Sequence, residues 1–460
     1  MHSGSGTLQL RGNRGISRQG WIAASFIACA MVLGGGGSPS PAAELLVQLA
    51  FVAALVLWVW CTPHGDRNIS RPLLYLGIAI LALPVLHLIP LPPSIWQTLP
   101  GRDLQVASLQ VIDAADSWQP LSVSPPLTLA ALLVLVPAVG TMWAVSVMPR
   151  RERHFLLLVV ALVGLAGGAL GVLQLVGGPD AFRLYEKSHR GWLTAFHANR
   201  NAAADVLLIA SLALVAWFAG RGKHARYRHL SPLMGIGQFL LLVAILLTGS
   251  RAGIALVLVA LVFHWMMIRD DETSRRSKAA VAGVGFVAAG LLSLPFLLGS
   301  GGRLAGVAQR FDTTSDARIP LWHDTLAAID SYGWTGSGLG SFTKAFLPHE
   351  SLEYLGPAFP NRAHNDYLEF ILEAGILAPA MLVFAAIAIF LLARRSWRVS
   401  PGDHAIQLFA LGTLAIVALH SIVDYPLRNM AIACLAAMAA GLLAPSPGGS
   451  KGRKERDSET

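Results

Sequence analysis

The chain has 460 residues, of which 54% are hydrophobic and only 13% are charged. Soluble domains carry about 25% charged residues, so this composition excludes an ordinary cytosolic enzyme. The formal net charge is +9, but the basic residues lie in short clusters between apolar runs, so we expect membrane lipids and no nucleic acid as partners. The three cysteines lie inside or at the end of apolar runs, which indicates neither a disulfide framework nor a clustered thiolate metal site.

Twelve stretches are apolar and long enough to cross a hydrocarbon layer about 30 Å thick as helices. They are residues 21–37, 43–61, 73–90, 127–147, 154–176, 202–219, 232–248, 252–268, 279–299, 375–393, 405–421 and 427–444. We therefore predict an all-α integral membrane protein with about twelve transmembrane helices. The predicted division of the chain is 1–299 for helices one to nine, 300–374 for a large outer loop, 375–444 for helices ten to twelve and 445–460 for a cytoplasmic tail.

Basic residues near the ends of spans favour the cytoplasmic side of a membrane. With the N-terminus inside, the inner segments hold 23 of the 35 lysines and arginines, and the outer segments hold 12. This bias predicts a multi-pass protein with both termini in the cytoplasm. Three outer segments are long, residues 91–126, 177–201 and 300–374, and the last has amphipathic helical spacing, so we expect it to fold as a cap.

The segment 362–377 just before the tenth span carries the first candidate site. Its apolar spacing predicts a short interfacial helix that begins near His364, Asn365 and Asp366. A histidine there suits a general base near neutral pH, and Arg362 suits an anion at the same position. The alternative is that Asn365 or Asp366 only caps the helix and that His364 is exposed to solvent without a functional role.

Two arginines lie where an anion would be held near the outer membrane surface. Arg251 falls in the tight turn between the seventh and eighth spans, where it either snorkels to head groups or offers a planar fork of donors to a phosphate. Arg318 lies two residues before Pro320, near the predicted start of an outer amphipathic helix, and helix starts favour anions.

Further polar residues cluster at the outer end of the sixth span. Arg190, Arg200 and Asn201 lie there, beside alanines that allow close helix packing. Asn201 and its neighbour Asn199 bind sugar hydroxyls or cap the helix, and the sequence leaves both open. The outer segments contain no Asp-x-Asp pair and no zinc-protease motif, so we expect metal-independent chemistry without a cofactor.

Five segments in this order resemble the O-antigen ligase and O-antigen polymerase family of bacterial membrane glycosyltransferases. They are GSRAG at 249–253, ARIPLW at 317–322, the glycine turn GWTGSGLGSF at 333–342, AHNDYLEFILEAGIL at 363–377 and HSIVDYPLRN at 420–429. The resemblance implies a GT-C-like helical fold in the inner membrane with a large periplasmic loop. It also implies transfer of a glycan from undecaprenyl diphosphate to a hydroxyl of lipid A-core or of another surface polysaccharide acceptor.

The resemblance also implies roles for single residues. Arg251 and Arg318 would grip the donor diphosphate, and His364 would activate the acceptor hydroxyl. Asp424 and Arg428 match the late motif, where we expect an ion-paired structural role. The additional candidates for binding the donor diphosphate are Arg190, Arg200 and Arg362. The candidates for sugar binding or structural support are Asn201, Asn365 and Asp366. Direct displacement by the acceptor would invert the anomeric carbon.

Two alternatives stay open. Polymerisation of repeat units within the same family requires the same binding of the donor diphosphate, and the acceptor cannot be deduced from one sequence. A transporter or flippase of lipid-linked glycans would place ionisable groups near the membrane midplane. The ionisable residues noted inside spans are only His87, His264 and Glu44, whereas charged residues concentrate at the outer face, which favours an enzyme.

Overall fold

The computed structural model describes residues 15–36, 41–61, 68–220, 230–269, 318–355 and 360–447. Within these residues the chain forms sixteen α-helices and one pair of two-residue strands. The helices before residue 270 are α1 (Arg18–Leu33), α2 (Pro41–Cys61), α3 (Arg71–His87), α4 (Pro93–Trp96), α5 (Asp103–Gln110), α6 (Pro125–Ser146), α7 (Arg150–Val176), α8 (Arg200–Ala219), α9 (Ser231–Leu247) and α10 (Arg251–Arg269). The later helices are α11 (Arg318–Tyr332), α12 (Phe342–Phe346), α13 (Asp366–Ala374), α14 (Leu377–Val399), α15 (His404–His420) and α16 (Met430–Leu442).

The strands are β1 (Pro90–Leu91) and β2 (Gln119–Pro120), which pair antiparallel with Pro90 opposite Pro120. Single helical turns of 3₁₀ type connect the later elements. They comprise Leu347–His349, Leu352–Tyr354, Pro401–Asp403 and Pro426–Arg428.

Seven helical segments of the described chain are long and apolar enough to cross a membrane. They are α2, α6, α7, α8, α10, α14 and the segment Pro401–His420 that contains α15. Four shorter apolar helices, α1, α3, α9 and α16, overlap further predicted spans. The prediction of an all-α membrane protein is therefore confirmed. The predicted ninth span at 279–299, the start of the outer loop at 300–317 and the tail after residue 447 lie outside the described residues, so the count of twelve and the outer placement of the loop stay predictions.

Helix α8 lies at the centre of the bundle, and 89% of its most apolar 18-residue stretch is buried. Small residues allow its neighbours to approach closely, as the run of alanines predicts. A Cβ added to Gly164 of α7 would lie 2.2 Å from the Cβ of Ala210, and one added to Gly253 of α10 would lie 2.5 Å from that of Ala204. This packing fixes the first turn of α8 against the first turn of α10.

A second, smaller core joins α11, α12 and α13. Its buried apolar members are Leu321, Ala328, Tyr332, Phe342, Ala345, Phe346, Ala363 and Leu372. The glycine turn 333–342 between α11 and α12 connects this layer to the bundle. The backbone N–H of Leu339 donates to His87 Nδ1 at 3.0 Å, and Thr128 Oγ1 donates to the Leu339 carbonyl at 2.7 Å. The described part of the predicted cap is thus held on the ends of α3 and α6.

The glycine turn also closes the end of α13. Gly336 has a φ of +72°, which L side chains rarely adopt, and an added Cβ would lie 2.6 Å from the carbonyl oxygen of Glu373. The backbone N–H groups of Ser337 and Gly338 donate to the carbonyls of Leu372 and Glu373 at 2.9 and 2.8 Å. These bonds satisfy carbonyls that the end of a helix leaves without partners.

We expect Gly336→Ala to destabilise the protein by at least about 1–2 kcal/mol, because the backbone would be strained and the carbonyl of Glu373 would be crowded. Thermal unfolding of the detergent-purified protein measures the effect. Gly235→Ala is the matched control, since nothing lies within 4 Å of a Cβ built there. Equal melting temperatures for the two variants would contradict this account of the turn.

Candidate active site

Helix α13 starts at Asp366, two residues after His364, and is capped by Asn365. The Asn365 side-chain oxygen accepts the backbone N–H groups of Tyr367 and Leu368 at 3.0 and 3.1 Å. This is the capping geometry that stabilises helix starts. His364 itself has a φ of +50°, an uncommon conformation for a residue with a side chain. The cap and the strained backbone together fix the position of the imidazole.

The His364 imidazole is hydrogen-bonded to a buried carboxylate. Its Nδ1 lies 3.0 Å from Oδ1 of Asp424, whose side chain is 4% exposed, whereas that of His364 is 31% exposed. A carboxylate can only accept, so Nδ1 carries the hydrogen and Nε2 is the nitrogen left to take a proton. The ring of Tyr425 packs edge-on against the imidazole with 4.9 Å between centroids. The pair is therefore half open to solvent on the histidine side and closed on the carboxylate side.

Asp424 is held as an anion by several partners. Burial alone would raise the pKa of Asp424, but its interactions with His364 and His420, with the hydrogen bond from Asn201, hold the pKa below its usual range. The Asn201 amide donates to Oδ2 of Asp424 at 2.5 Å. Asn199 caps α8 instead, because its side-chain oxygen accepts the backbone N–H of Asn201 at 2.8 Å. In the described chain Asn201 therefore supports the carboxylate, and the cap is Asn199.

Arg318, the first residue of α11, lies at the same site. One turn later, Trp322 Nε1 donates to the carbonyl of Ala363 at 3.0 Å, directly before His364. Residues four apart share one face of a helix, so Arg318 extends from the face that contacts this backbone. Its charge interacts with that of His420, which lies one helical turn before Asp424.

Arg251, the first residue of α10, lies at the same end of the bundle. The contact of Gly253 with Ala204 sets the start of α10 beside the first turn of α8, where Asn201 reaches Asp424. The turn before Arg251 packs on an aromatic ring. A Cβ at Gly249 would lie 2.2 Å from the Trp192 side chain.

Trp192 also contacts a second predicted arginine. The guanidinium carbon of Arg200 lies 5.0 Å from the centre of the Trp192 ring, within the range of a cation–π interaction. Trp192 thus joins the turn before Arg251 to the start of α8. Arg190 is placed differently, because its guanidinium pairs with Asp180 at 3.0 Å and both side chains are mostly exposed, at 60% and 72%. Among the described residues, no contact links Arg190 to His364.

Arg428 and Arg362 are bound to carboxylates of α13. Arg428 lies 3.5 Å from Asp366, 3.4 Å from Glu369 and 2.8 Å from Glu373. Arg362 lies 2.9 Å from Glu369. Glu369 and Glu373 are buried and were missed in the sequence, although their spacing from Asp366 places all three on one helix face. This network fixes the segment after Asp424 to α13.

A second imidazole–carboxylate pair was also missed. His420 Nδ1 lies 2.6 Å from Oδ1 of Asp205, and each side chain is only 1% exposed. His420 Nε2 lies 4.0 Å from Oδ2 of Asp424. The available signal was an acidic residue inside the sixth predicted span, four residues after Asn201. The ionisable residues noted from sequence, His87, His264 and Glu44, did not include it.

Protonation of Asp366 should make stability depend on pH. Burial raises the pKa of Asp366 to about 7, against the opposing charge of Arg428. A carboxyl whose pKa is higher in the folded state contributes stability at low pH and loses it as the pH rises. The stabilising contribution of Asp366 is complete below about pH 4, the pKa of the carboxyl in the unfolded chain. It is lost as the pH rises through about 7, the pKa of the carboxyl in the folded protein.

We expect the stability of Asp366→Asn to show no such decline with rising pH, because an amide binds no proton between about pH 4 and pH 7. Thermal unfolding in detergent between pH 5 and pH 8 measures it. Asp113→Asn removes an exposed carboxyl and should keep the wild-type pH dependence. A wild-type decline in Asp366→Asn would show that another group is responsible.

A comparison with known protein families gives a match over part of the chain. Residues 236–383 match the family model described as O-antigen ligase. The matched range contains Arg251, Arg318, His364 and all of α13. No curated protein matches the chain. Over this segment, about a third of the chain, the protein is similar to the O-antigen ligase family, as the order of its motifs predicts.

Proposed function

We propose that the protein is a ligase that transfers a glycan from undecaprenyl diphosphate to a hydroxyl of lipid A-core or a similar surface acceptor. The family match supports O-antigen ligase or polymerase activity in general. The observation that carries the proposal is the half-exposed His364 imidazole, bonded at Nδ1 to the buried anion of Asp424 and adjacent to the start of α11 at Arg318. Such a pair suits removal of a proton from an acceptor hydroxyl.

In this proposal the acceptor hydroxyl donates its proton to His364 Nε2 as its oxygen attacks the anomeric carbon. Asp424 keeps the hydrogen on Nδ1 and stabilises the imidazolium that forms. The bond from the anomeric carbon to the diphosphate oxygen breaks as the new glycosidic bond forms. A single displacement of this kind inverts the anomeric carbon.

Arginine side chains would take the negative charge of the leaving diphosphate. A guanidinium is always charged and offers donors in a planar fork that matches phosphate oxygens. Arg318 and Arg251 both occupy the first position of a helix, where the helix dipole also favours anions. Fixed charges that meet the developing charge supply stabilisation in the transition state without a metal ion. Arg200 is the next candidate, whereas Arg362 and Arg428 are already engaged by carboxylates.

The proposed location is the bacterial inner membrane, with both termini in the cytoplasm and the site on the periplasmic side. The excess of basic residues on the predicted inner segments supports this orientation. Polymerisation of repeat units is the alternative within the family, because the donor grip would be the same. The size of the glycan products distinguishes the two activities.

The proposal is tested by complementing a deletion with wild type, His364→Ala, Arg251→Ala or Arg318→Ala at matched protein levels. Surface glycans and carrier-bound glycans are then resolved by size. We expect the three variants to fail like the deletion and long chains to accumulate on the carrier lipid. Arg190→Ala is the control and should restore transfer, because its guanidinium lies in an exposed ion pair.

Each other outcome has a definite meaning. Attachment of single repeats only would favour the polymerase. Normal glycan from all three variants would contradict the assignment of the site and favour a transporter. In a purified assay, His364→Ala should lower turnover by about 10²–10⁴-fold with a smaller change in donor affinity.

Asp424→Asn tests the hydrogen-bonding role of the carboxylate. The asparagine amide can donate to Nδ1, which moves the ring hydrogen to Nε2 and leaves no acceptor for the substrate proton. We expect turnover to fall at least about 100-fold. Asp180→Asn, at the exposed partner of Arg190, should keep wild-type turnover. Full activity in a correctly folded Asp424→Asn protein would contradict the proposed role of the pair.

A further inference from the structure

The buried pair of His420 and Asp205 lies on the closed side of Asp424. Three elements meet there, because Asp205 belongs to α8, His420 ends α15 and Asp424 follows in the next connection. His420 Nδ1 lies 2.6 Å from Oδ1 of Asp205, and its Nε2 lies 4.0 Å from Oδ2 of Asp424. The imidazole is therefore situated between two carboxylates.

The charges around His420 favour a cation at this position. Asp205 and Asp424 are both buried, and a buried anion is costly unless a positive group lies beside it. The charged groups that face His420 are these two carboxylates and the guanidinium of Arg318 from α11. The His420 imidazole is hydrogen-bonded through Nδ1 to Asp205, and a positive charge on the ring would also act on Asp424, 4.0 Å from Nε2.

A positive charge on His420 would weaken the stabilisation that the Asp424 carboxylate gives to a protonated His364. The carboxylate is shared, since Oδ1 faces His364 and Oδ2 faces both Asn201 and His420. An unopposed buried anion would stabilise the protonated form of His364, and a protonated histidine cannot accept a proton from the acceptor. A positive charge on the far side of the same carboxylate reduces that bias.

We propose that His420, held by Asp205, is a positioning residue that supplies a fixed positive charge behind Asp424 and thereby keeps His364 able to accept the proton of the acceptor hydroxyl. The inference rests on the proposed function for its consequence in catalysis. The electrostatic effect itself involves only the side chains of four residues, His364, Asp424, His420 and Asp205. That part is testable without substrate.

The test is the pH dependence of the reaction of His364 with diethyl pyrocarbonate, which modifies neutral imidazole. The rate is followed by mass spectrometry of the peptide that contains His364, in wild type and in His420→Gln, both purified in detergent. His364 is 31% exposed and accessible to the reagent, whereas His420 is 1% exposed. The pH of half-maximal rate does not depend on the folded amount of each protein.

We expect His420→Gln to move the half-maximal pH for His364 upward by about one pH unit, because His364 would then face the Asp424 anion without a positive charge 4.0 Å from the other oxygen of that carboxylate. His264→Gln is the matched control. It replaces another buried histidine of the bundle, which contacts Ser211 at 3.3 Å, and should leave the midpoint unchanged. An unchanged midpoint in His420→Gln, or an equal shift in His264→Gln, would overturn the proposal.

If His420→Gln cannot be purified, the double variant Asp205→Asn with His420→Gln provides the same test. It removes the cation together with its buried counter-charge, and we expect a smaller shift in the same direction. The proposed function fails separately, if His364→Ala transfers glycan normally. In that case the midpoint shift would still establish that His420 controls the charge of His364.

Discussion

A buried carboxylate at Asp424 organises the site, because an anion out of water must be surrounded by groups that compensate it. Its partners come from distant parts of the chain. Asn201 is separated from it by 223 positions and His364 by 60. To satisfy one side chain, the start of α8, the segment just before α13 and the connection after α15 must converge. Helix α8 and the layer formed by α11, α12 and α13 are joined at His364 and Asp424, the pair that we propose for proton transfer.

The network around Arg428 continues this convergence. Arg428 follows Asp424 by four residues and is bound by three carboxylates on one face of α13. Buried ion pairs contribute little net stability, but the loss of one partner is costly, so they strongly favour a single arrangement. The segment 420–429 is consequently fixed to α13 at both ends. The backbone N–H of Asp366 also donates to the carbonyls of Ser421 and Asp424 at 2.9 and 3.2 Å. A site built this way keeps His364 in place despite its strained backbone.

Much of the architecture follows from the sequence, because a chain in lipid must satisfy its backbone hydrogen bonds internally and apolar runs of about 20 residues do so as helices. Eleven of the predicted spans overlap helices of the described chain. The helix starts at Arg251 and Arg318 were also anticipated, from a tight turn and from a proline at the first turn. Local signals of this kind do not require knowledge of the tertiary fold.

The pairings could not be predicted in the same way. Whether Asn365 capped a helix or bound sugar, and whether Arg362 was available to an anion, depended on partners many residues away. Asp205 was a visible acidic residue inside the sixth predicted span, but its pairing was not predictable because its partner His420 lies 215 positions away. Arg190 was grouped with Arg200 by its nearness in sequence, but the connection between α7 and α8 pairs it with Asp180 in solvent.

The most direct test is the stereochemistry of transfer by the purified protein. It would be incubated with an undecaprenyl-diphosphate-linked glycan and lipid A-core, and the anomeric configuration of the new linkage would be determined by NMR and compared with that of the donor. Base-assisted attack by the acceptor at a site formed by His364 and Asp424 predicts inversion. Retention would require a covalent glycosyl intermediate on the protein and would contradict the proposed mechanism.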